Sequence, residues 1–446
     1  MKNVTILGAG LVGSLLSIYL SKRGYTVEIY ERRPDMRKEK IVAGRSINLA
    51  LSDRGWRGLE GAGLKEEIQK VAIPMAARMI HNVDGTTMAQ PYGKENQAIN
   101  SVSRGGLNMS LIDLAEQQKN VSIHFNQRCD SVDLKRKKIF FTDEKGKQSE
   151  KNYDLIFGAD GAFSALRNSM HYLDRFDYSQ NYIEHGYKEF TIPAGENGIF
   201  QVEKNALHIW PRKSFMLIAL PNMDGSFTCT LFFPFDGNVS FSKIKTEKDV
   251  EDFFTEYFPD AKILMPTYKK DFFNNPTSSL VTVRCFPWSF EDSACLIGDA
   301  AHAVVPFFGQ GMNCGFEDCV VLNELMEKHN DDWKKILPEF QLSRKANADA
   351  IAQMALNNFI EMRDLVADPH FLLKKKIEKK LSQLLPDIFV PAYTMVTFSP
   401  EIPYAEAMRR GNLQNEILEE LAAKNNWEEI IELDNILSEI KNKLTA

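Results

Sequence analysis

The groups most able to hold a reactive ligand in this 446-residue chain lie in two glycine-bearing stretches nearly three hundred residues apart. The first is Gly8-Ala-Gly10-Leu11-Val12-Gly13, directly after the apolar run Val4-Thr-Ile-Leu7. In that spacing Gly8 permits a tight strand-to-helix turn, Gly10 lets the backbone approach a pyrophosphate, and Gly13 lets helix and strand pack closely. A helix starting there offers unpaired N–H groups and a partial positive charge to the phosphates. Glu31 closes the next apolar run, where its carboxylate can accept both ribose hydroxyl protons. Arg32 and Arg33 follow; they would suit a 2′-phosphate, but Glu31 would repel it. The plain alternative is a chance spacing in an ordinary turn. A strand before, a helix after and an acid at the right distance argue against it. Alone, the motif does not separate NAD from FAD.

The second stretch is Leu296-Ile-Gly298-Asp299-Ala-Ala-His302, continued by Pro306-Phe307-Phe308-Gly309-Gln310-Gly311-Met312-Asn313. Asp299, just past a strand, is placed to hydrogen-bond a ribityl hydroxyl. Gly309, Gln310 and Gly311 leave room for a flat ring against the backbone. A helix starting near Gly311 would aim its N-terminus at the pyrimidine edge of a flavin, where negative charge collects on reduction. A ligand that engages both stretches is FAD. A third motif, Gly158-Ala-Asp160-Gly161 with Arg167 downstream, is weak alone, because a simple turn would show the same Asp-Gly pair.

The elements that must position these groups read as an α/β protein. Residues 4–7 and 27–30 are short strands around a helix over 11–23, a βαβ unit. After Asp177 the runs 187–192, 206–210, 215–219 and 226–233 read as antiparallel strands of a second unit. From Gly311 onward the pattern is largely helical, with breaks at Asp368-Pro369, Leu385-Pro386 and Ser399-Pro400. Residues 412–446 read as one or two surface helices. The expected architecture is a Rossmann-like FAD-binding domain (1–72, 100–176 and 285–328), a β-sheet substrate domain (73–99 and 177–284) and a helical C-terminal region (329–446). A net charge of −6 gives no reason to expect nucleic acid or an anionic membrane as partner. Six scattered cysteines without a CxxC pair or a Cys/His cluster point away from a metal site and toward a reducing cytoplasm. The first apolar run leads straight into the glycine motif, so no signal peptide is expected. No apolar stretch approaches the ~20 residues that span a bilayer.

The order GxGxxG, then DG with an arginine six residues on, then GD resembles the para-hydroxybenzoate hydroxylase class of flavoprotein monooxygenases. Within that class the chain resembles the kynurenine 3-monooxygenases. The segments that carry this likeness are Arg45-Ser-Ile-Asn48-Leu-Ala-Leu-Ser52, Gln90-Pro-Tyr92-Gly93, Val305 to Asn313 with Gly315-Phe-Glu-Asp318-Cys319, Asn357-Asn-Phe-Ile-Glu-Met-Arg363-Asp, and Tyr393-Thr-Met-Val-Thr-Phe-Ser399. The resemblance implies that NADPH, bound transiently, reduces tightly held FAD, that O₂ adds at flavin C4a, and that the hydroperoxide hydroxylates L-kynurenine beside its aromatic amine. The flavin carries this chemistry and the protein positions and shields it. No side chain is assigned as catalytic acid or base. Related readings are a flavin hydroxylase acting on another aromatic acid or a quinone precursor, and a flavin-binding sensor without turnover. The oligomeric state is left open.

The resemblance also assigns residues. Arg78, in the strand-like run 76–80, matches the family's arginine for the substrate carboxylate, fourteen residues before Tyr92. A guanidinium binds a carboxylate in a bidentate fork, although a structural ion pair would equally explain a partly buried arginine. Asn358 falls on the apolar stripe of a helix expected over 343–364, where an unpaired buried amide costs roughly 1–3 kcal/mol, so it should bond backbone or ligand. Tyr393 faces the same choice, and the family places an asparagine and a tyrosine in matching segments around the amino-acid end of kynurenine. Phe307 and Phe308 either cover the flavin and contact the substrate ring or prop the loop. Phe232 and Phe233 are weaker candidates for the sheet-side wall. Arg104 matches an arginine near the flavin phosphates, and His302 reads as loop-stabilising.

Overall fold

The apolar run after the N-terminus becomes the strand Asn3–Leu7, buried beyond its first residue, in the middle of a six-stranded sheet. The sheet order is Ser289–Phe290, Ala294–Leu296, Leu155–Gly158, Asn3–Leu7, Thr26–Tyr30 and Val121–His124. All its pairs are parallel except the Ser289 edge. Parallel strands need crossovers, and the first is the helix Leu11–Lys22, whose Gly13, Ser14 and Ser17 let it lie close on the sheet. This computed structural model describes residues 3–38, 47–92, 97–361, 368–424 and 426–445. Arg45 and Ser46 of the early segment, Gly93 after Tyr92, and Met362-Arg363-Asp364 lie outside the described residues.

A second, seven-stranded sheet runs Ser278–Phe286, Asp177–Ile192, Phe227–Pro234, Phe215–Pro221, Ala206–Arg212, Ala77–His81 and Thr87–Pro91. One face is covered by the helices Glu247–Tyr257, Pro259–Leu264 and Tyr268–Asn274, and Phe190, Phe215, Phe233, Phe254 and Phe258 fill the layer between. The first of these helices opens on a capping box between Thr246 and Asp249. The other face looks toward the first sheet. The four runs expected to be antiparallel do pair that way, and Ala77–His81 joins them parallel to Ala206–Arg212. These two strands come from separate excursions out of the first sheet, so no hairpin fixes their relative direction.

The C-terminal region is helical, with two corrections. The helix that carries Asn358 runs Trp333–Ile360, beginning ten residues before the expected start at 343. Asp332 caps it, and buried Ile336, Leu337 and Phe340 hold its early turns although Pro338 lies among them. The last segment does not begin at 412 as a surface helix. The helix is Tyr404–Ala422, and Tyr404 and Ala407 are fully buried because they pack on Met354, Met395 and Val396. Two further helices, Pro369–Leu384 and Asp434–Thr445, share a small core with it through Leu381, Leu418 and Ile440. Among the described residues no helix is long and apolar enough to cross a membrane.

Candidate active site

A cavity of about 2890 Å³ runs between the two sheets and on under the C-terminal helices. A pocket for one small ligand is roughly 300–1,000 Å³, so this one has room for a large cofactor and a second molecule. Its first part is the dinucleotide cradle. Gly8 has φ +99°, and a Cβ there would lie 2.5 Å from the Ala159 oxygen. A Cβ on Gly13 would lie 2.0 Å from the Gly8 oxygen, so turn, helix and strand are locked together. At Gly10, the N-cap of the Leu11–Lys22 helix, a Cβ would meet nothing within 4 Å and would stand on the cavity wall. Leu11 and Val12 line that wall too.

Glu31 sits at the rim, 5% exposed. Its Oε2 accepts the Ala9 N–H at 2.9 Å, and its Oε1 accepts the Arg33 backbone N–H at 3.0 Å and Nε–H at 2.8 Å. Burial alone would raise its pKa, but the Arg33 guanidinium and the two backbone donors hold it below the usual range, so the carboxylate stays charged. The longest of its contacts is Arg33 Nη2 at 3.3 Å. Arg32 and Arg104 are exposed on the same wall, Arg104 as the first residue of the helix Arg104–Glu116. Asp160 accepts the Ala165 N–H at 2.7 Å through Oδ2, whereas its buried Oδ1 has no partner among the described residues. Burial raises its pKa. An orphaned acceptor on the cavity wall fits a hydroxyl-bearing ligand.

Opposite lie the second-stretch residues. Gly298 has φ +62° and Gly309 φ +68°, which bend the chain so that Asp299, Gly311 and Met312 line the cavity. Gly311 and Met312 open the helix Gly311–Lys328. Asn313 is placed differently: fully buried, its Oδ1 accepts the Ser52 N–H at 3.0 Å while its Nδ2 donates to Ala50 at 2.9 Å and Gly309 at 2.8 Å. Its side chain fastens the loop, and neither it nor Gly13 lines the cavity.

The second part of the cavity is aromatic around Arg78. The Arg78 guanidinium stands 4.2 Å from the Tyr393 ring centre and 5.1 Å from that of Tyr92. Tyr393 stacks on Phe308 at 5.4 Å and on Tyr92 at 5.8 Å. Among the described residues the groups that act on the Arg78 charge are the hydroxyls of Tyr393 and Tyr92, not a carboxylate. Burial pushes the Tyr92 hydroxyl well above its usual pKa, so it remains a neutral donor. Phe307 packs between Phe359 at 4.5 Å and Phe232 at 5.0 Å. Asn358 Nδ2 donates to the Phe307 oxygen at 2.6 Å, so this amide holds the aromatic loop while lining the cavity. Phe232 lines the wall, but Phe233, next on the strand, points into the opposite core.

Outside the cavity lining, and buried, lies a charge network that sequence reasoning does not assemble. Arg54 Nη1 pairs with Glu317 at 2.6 Å, and Arg344 bridges Glu317 at 2.6 Å and Asp318 at 2.7 Å. Asp318 in turn accepts the Gly298 N–H at 3.1 Å and holds His302 at 2.6 Å. Burial works against a charged His302, but Asp318 raises its pKa well above the usual value. His302 is therefore part of this network, in keeping with a loop-stabilising role. The one signal in the sequence is the adjacent pair Glu317-Asp318 within an apolar helix, because buried acids require partners.

The FAD binding domain family matches residues 1–354 of the chain. The chain is 51% identical over 444 residues to the kynurenine 3-monooxygenase of Flavobacterium johnsoniae, with 99% of each chain covered. It is 47% identical over 451 residues to that of Dictyostelium discoideum, covering 98% of this chain and 97% of the relative. The Sus scrofa enzyme is 46% identical, covering 93% and 88%. Among solved structures, tetrameric 2-methyl-3-hydroxypyridine-5-carboxylic acid oxygenase matches 84% of this chain and 95% of its own at a TM-score of 0.66. Tetracycline destructase Tet(51) matches 87% and 96% at 0.60. At 18% and 17% identity these two speak to the fold alone. With a dinucleotide cradle, a facing flavin-type loop and about half its residues shared with such relatives along nearly its whole length, the chain belongs to the kynurenine 3-monooxygenase family of FAD-dependent hydroxylases.

Proposed function

We propose that this protein hydroxylates L-kynurenine to 3-hydroxykynurenine, with NADPH and O₂ as co-substrates. The observation that carries the reading is Arg78: a largely buried guanidinium with no carboxylate partner among the described residues, caged by Tyr92 and Tyr393, in a cavity continuous with the dinucleotide cradle. A charge so placed calls for an anionic ligand, and an amino-acid carboxylate matches the guanidinium fork. Tyr92 and Tyr393 flank the amino-acid end. Phe307, Phe308 and Phe232 give the substrate's aryl ring an apolar wall, and Asn358 keeps the loop that bears two of them in place. FAD, when bound, supplies the oxygen-activating chemistry. Gly8, Gly10, Leu11, Val12 and Gly13 shape the pyrophosphate site, Glu31 receives the ribose, and Arg32 and Arg104 offset phosphate charge. Asp160, Asp299 and the backbone of Gly311 and Met312 take the ribityl chain and ring edge, and Asn313 fastens the loop behind them. Placing the reacting ring in this apolar chamber excludes water from it.

The test is to purify the holoprotein and follow NADPH oxidation with and without L-kynurenine while assaying for 3-hydroxykynurenine. The expected result is a yellow protein whose NADPH oxidation rises with kynurenine and yields that product. A yellow protein indifferent to kynurenine would withdraw the substrate and leave the flavin sites standing.

Glu31 gives a separate expectation. Glu31→Ala removes the rim carboxylate and leaves the Ala9 N–H without its acceptor. Hydrogen bonds to charged groups are worth about 1.5–3 kcal/mol, so FAD affinity should fall by roughly tenfold or more. Full flavin content after gel filtration of the variant would show the ribose contact to be dispensable.

A further inference from the structure

Arg54 does not line the cavity, yet it is fully buried and its guanidinium is saturated. Besides Glu317, it donates to four main-chain carbonyls at one end of the helix Ala392–Phe398. Nε reaches Val396 at 2.7 Å, and Nη2 reaches Met395 at 3.5 Å, Ser399 at 3.3 Å and Ile402. Its flat face lies 4.1 Å from the ring centre of Tyr404, whose hydroxyl donates to the Gln310 side chain at 3.0 Å.

The helix so gripped has seven residues and no side-chain N-cap. A helix that short does not hold itself, and its last carbonyls have no intrahelical partner. Beyond the packing of Met395 and Val396 against Tyr404 and Ala407, its placement depends on what grips its ends. At one end stands Tyr393, stacked on Phe308 and Tyr92 and facing Arg78. At the other stands Arg54.

We propose that Arg54 is a positioning residue for the substrate site: it fixes the Ala392–Phe398 helix so that Tyr393 closes over Arg78, and through Glu317, Arg344 and Asp318 it ties that helix to the Gly298–Asp299 turn on the cofactor side. This rests on the reading of Arg78 and Tyr393 as the carboxylate subsite. Only a guanidinium has enough donors in one plane to serve a carboxylate and several carbonyls while stacking on a ring. A lysine keeps the charge and loses the grip.

The experiment is a double-mutant cycle on the holoenzyme, with L-kynurenine affinity measured by titration calorimetry for wild type, Arg54→Lys, Tyr393→Ala and the pair. Arg54→Lys should retain flavin and weaken binding about tenfold. In the Tyr393→Ala background the same change should cost less than about twofold, because the ring it positions is gone. Equal penalties in both backgrounds would indicate general destabilisation and overturn the proposal. Unchanged affinity in Arg54→Lys, beside weakened affinity in Arg78→Ala and Tyr393→Ala, overturns this inference alone. Unchanged affinity in all three removes the subsite as well. Should Arg54→Lys not fold, Glu317→Gln, which loosens the same guanidinium, takes its place in the cycle, and the same pattern of affinities supports or overturns the proposal.

Discussion

Arg78→Ala is expected to lose at least about 30-fold in L-kynurenine affinity while its flavin content stays at the wild-type level. The magnitude follows from the desolvation of the site. Truncating one partner of a buried, hydrogen-bonded charge pair costs about 2–5 kcal/mol, because the other charge is left uncompensated. Here that other charge is the ligand's carboxylate, which would face Tyr92, Tyr393 and apolar wall instead of water. Arg78→Lys should fall between wild type and alanine, since an ammonium supplies the charge and lacks the planar fork. Flavin should stay bound because Arg78 stands in the aromatic part of the cavity and its neighbours are Tyr92 and Tyr393, not the glycine turn. Calorimetric titration checks the prediction, and wild-type affinity in the alanine variant would take Arg78 out of the site.

The second large effect separates two glycines three residues apart. Gly13→Ala should yield colourless, poorly folded protein. A Cβ 2.0 Å from the Gly8 oxygen forces a backbone shift, and Gly8 has nowhere to go, being hemmed in by Ala159 and Asp160. Overpacking in a tight core costs typically about 1–3 kcal/mol, and the cost rises when backbone rather than a flexible side chain must yield. Gly10→Ala should instead fold and melt like wild type yet bind FAD weakly, since its Cβ has open space on the protein side and stands on the cavity wall. Thermal melting read beside the flavin-to-protein absorbance ratio distinguishes the two. Equal flavin content in Gly10→Ala and wild type would mean that the pyrophosphate does not approach this part of the turn.

Why the glycine turns are legible in the sequence and the Arg54 network is not is a matter of range. The positive φ of Gly8, Gly298 and Gly309 is a property of the local backbone, and Gly13 meets Gly8 only five positions away, so their spacing carries much of the geometry. Arg54 and Glu317 are 263 positions apart, and nothing local in either says which partner it meets. Phe232 and Phe233 show a different limit. Their strand is buried on both faces, so alternation does not tell which phenylalanine looks at the ligand and which at the helices behind the sheet. Asn358, on an apolar helix face, needs a partner, and Phe307 supplies one. That partner is 51 positions away, and only the fold brings it close. The long helix through Pro338 extends further toward the N-terminus than its sequence pattern indicates, because a proline ordinarily ends a helix and buried neighbours outweigh that preference here.

The parallel pairing of Ala77–His81 with Ala206–Arg212 has a consequence for how the molecule is made. Strands 177–192, 206–212, 215–221 and 227–234 meet through nearby partners and can zip early. The Ala77 strand joins them only after a long stretch of chain has been closed into a loop, which is entropically late. Arg78 rides on that late strand. By loop-closure entropy, then, the Arg78 guanidinium is expected to reach its aromatic cage late in assembly, which pulsed hydrogen exchange during refolding would check. On the proposed reading of Arg78, a half-assembled molecule, with neither sheet docked on the other, would have no subsite for an amino-acid carboxylate.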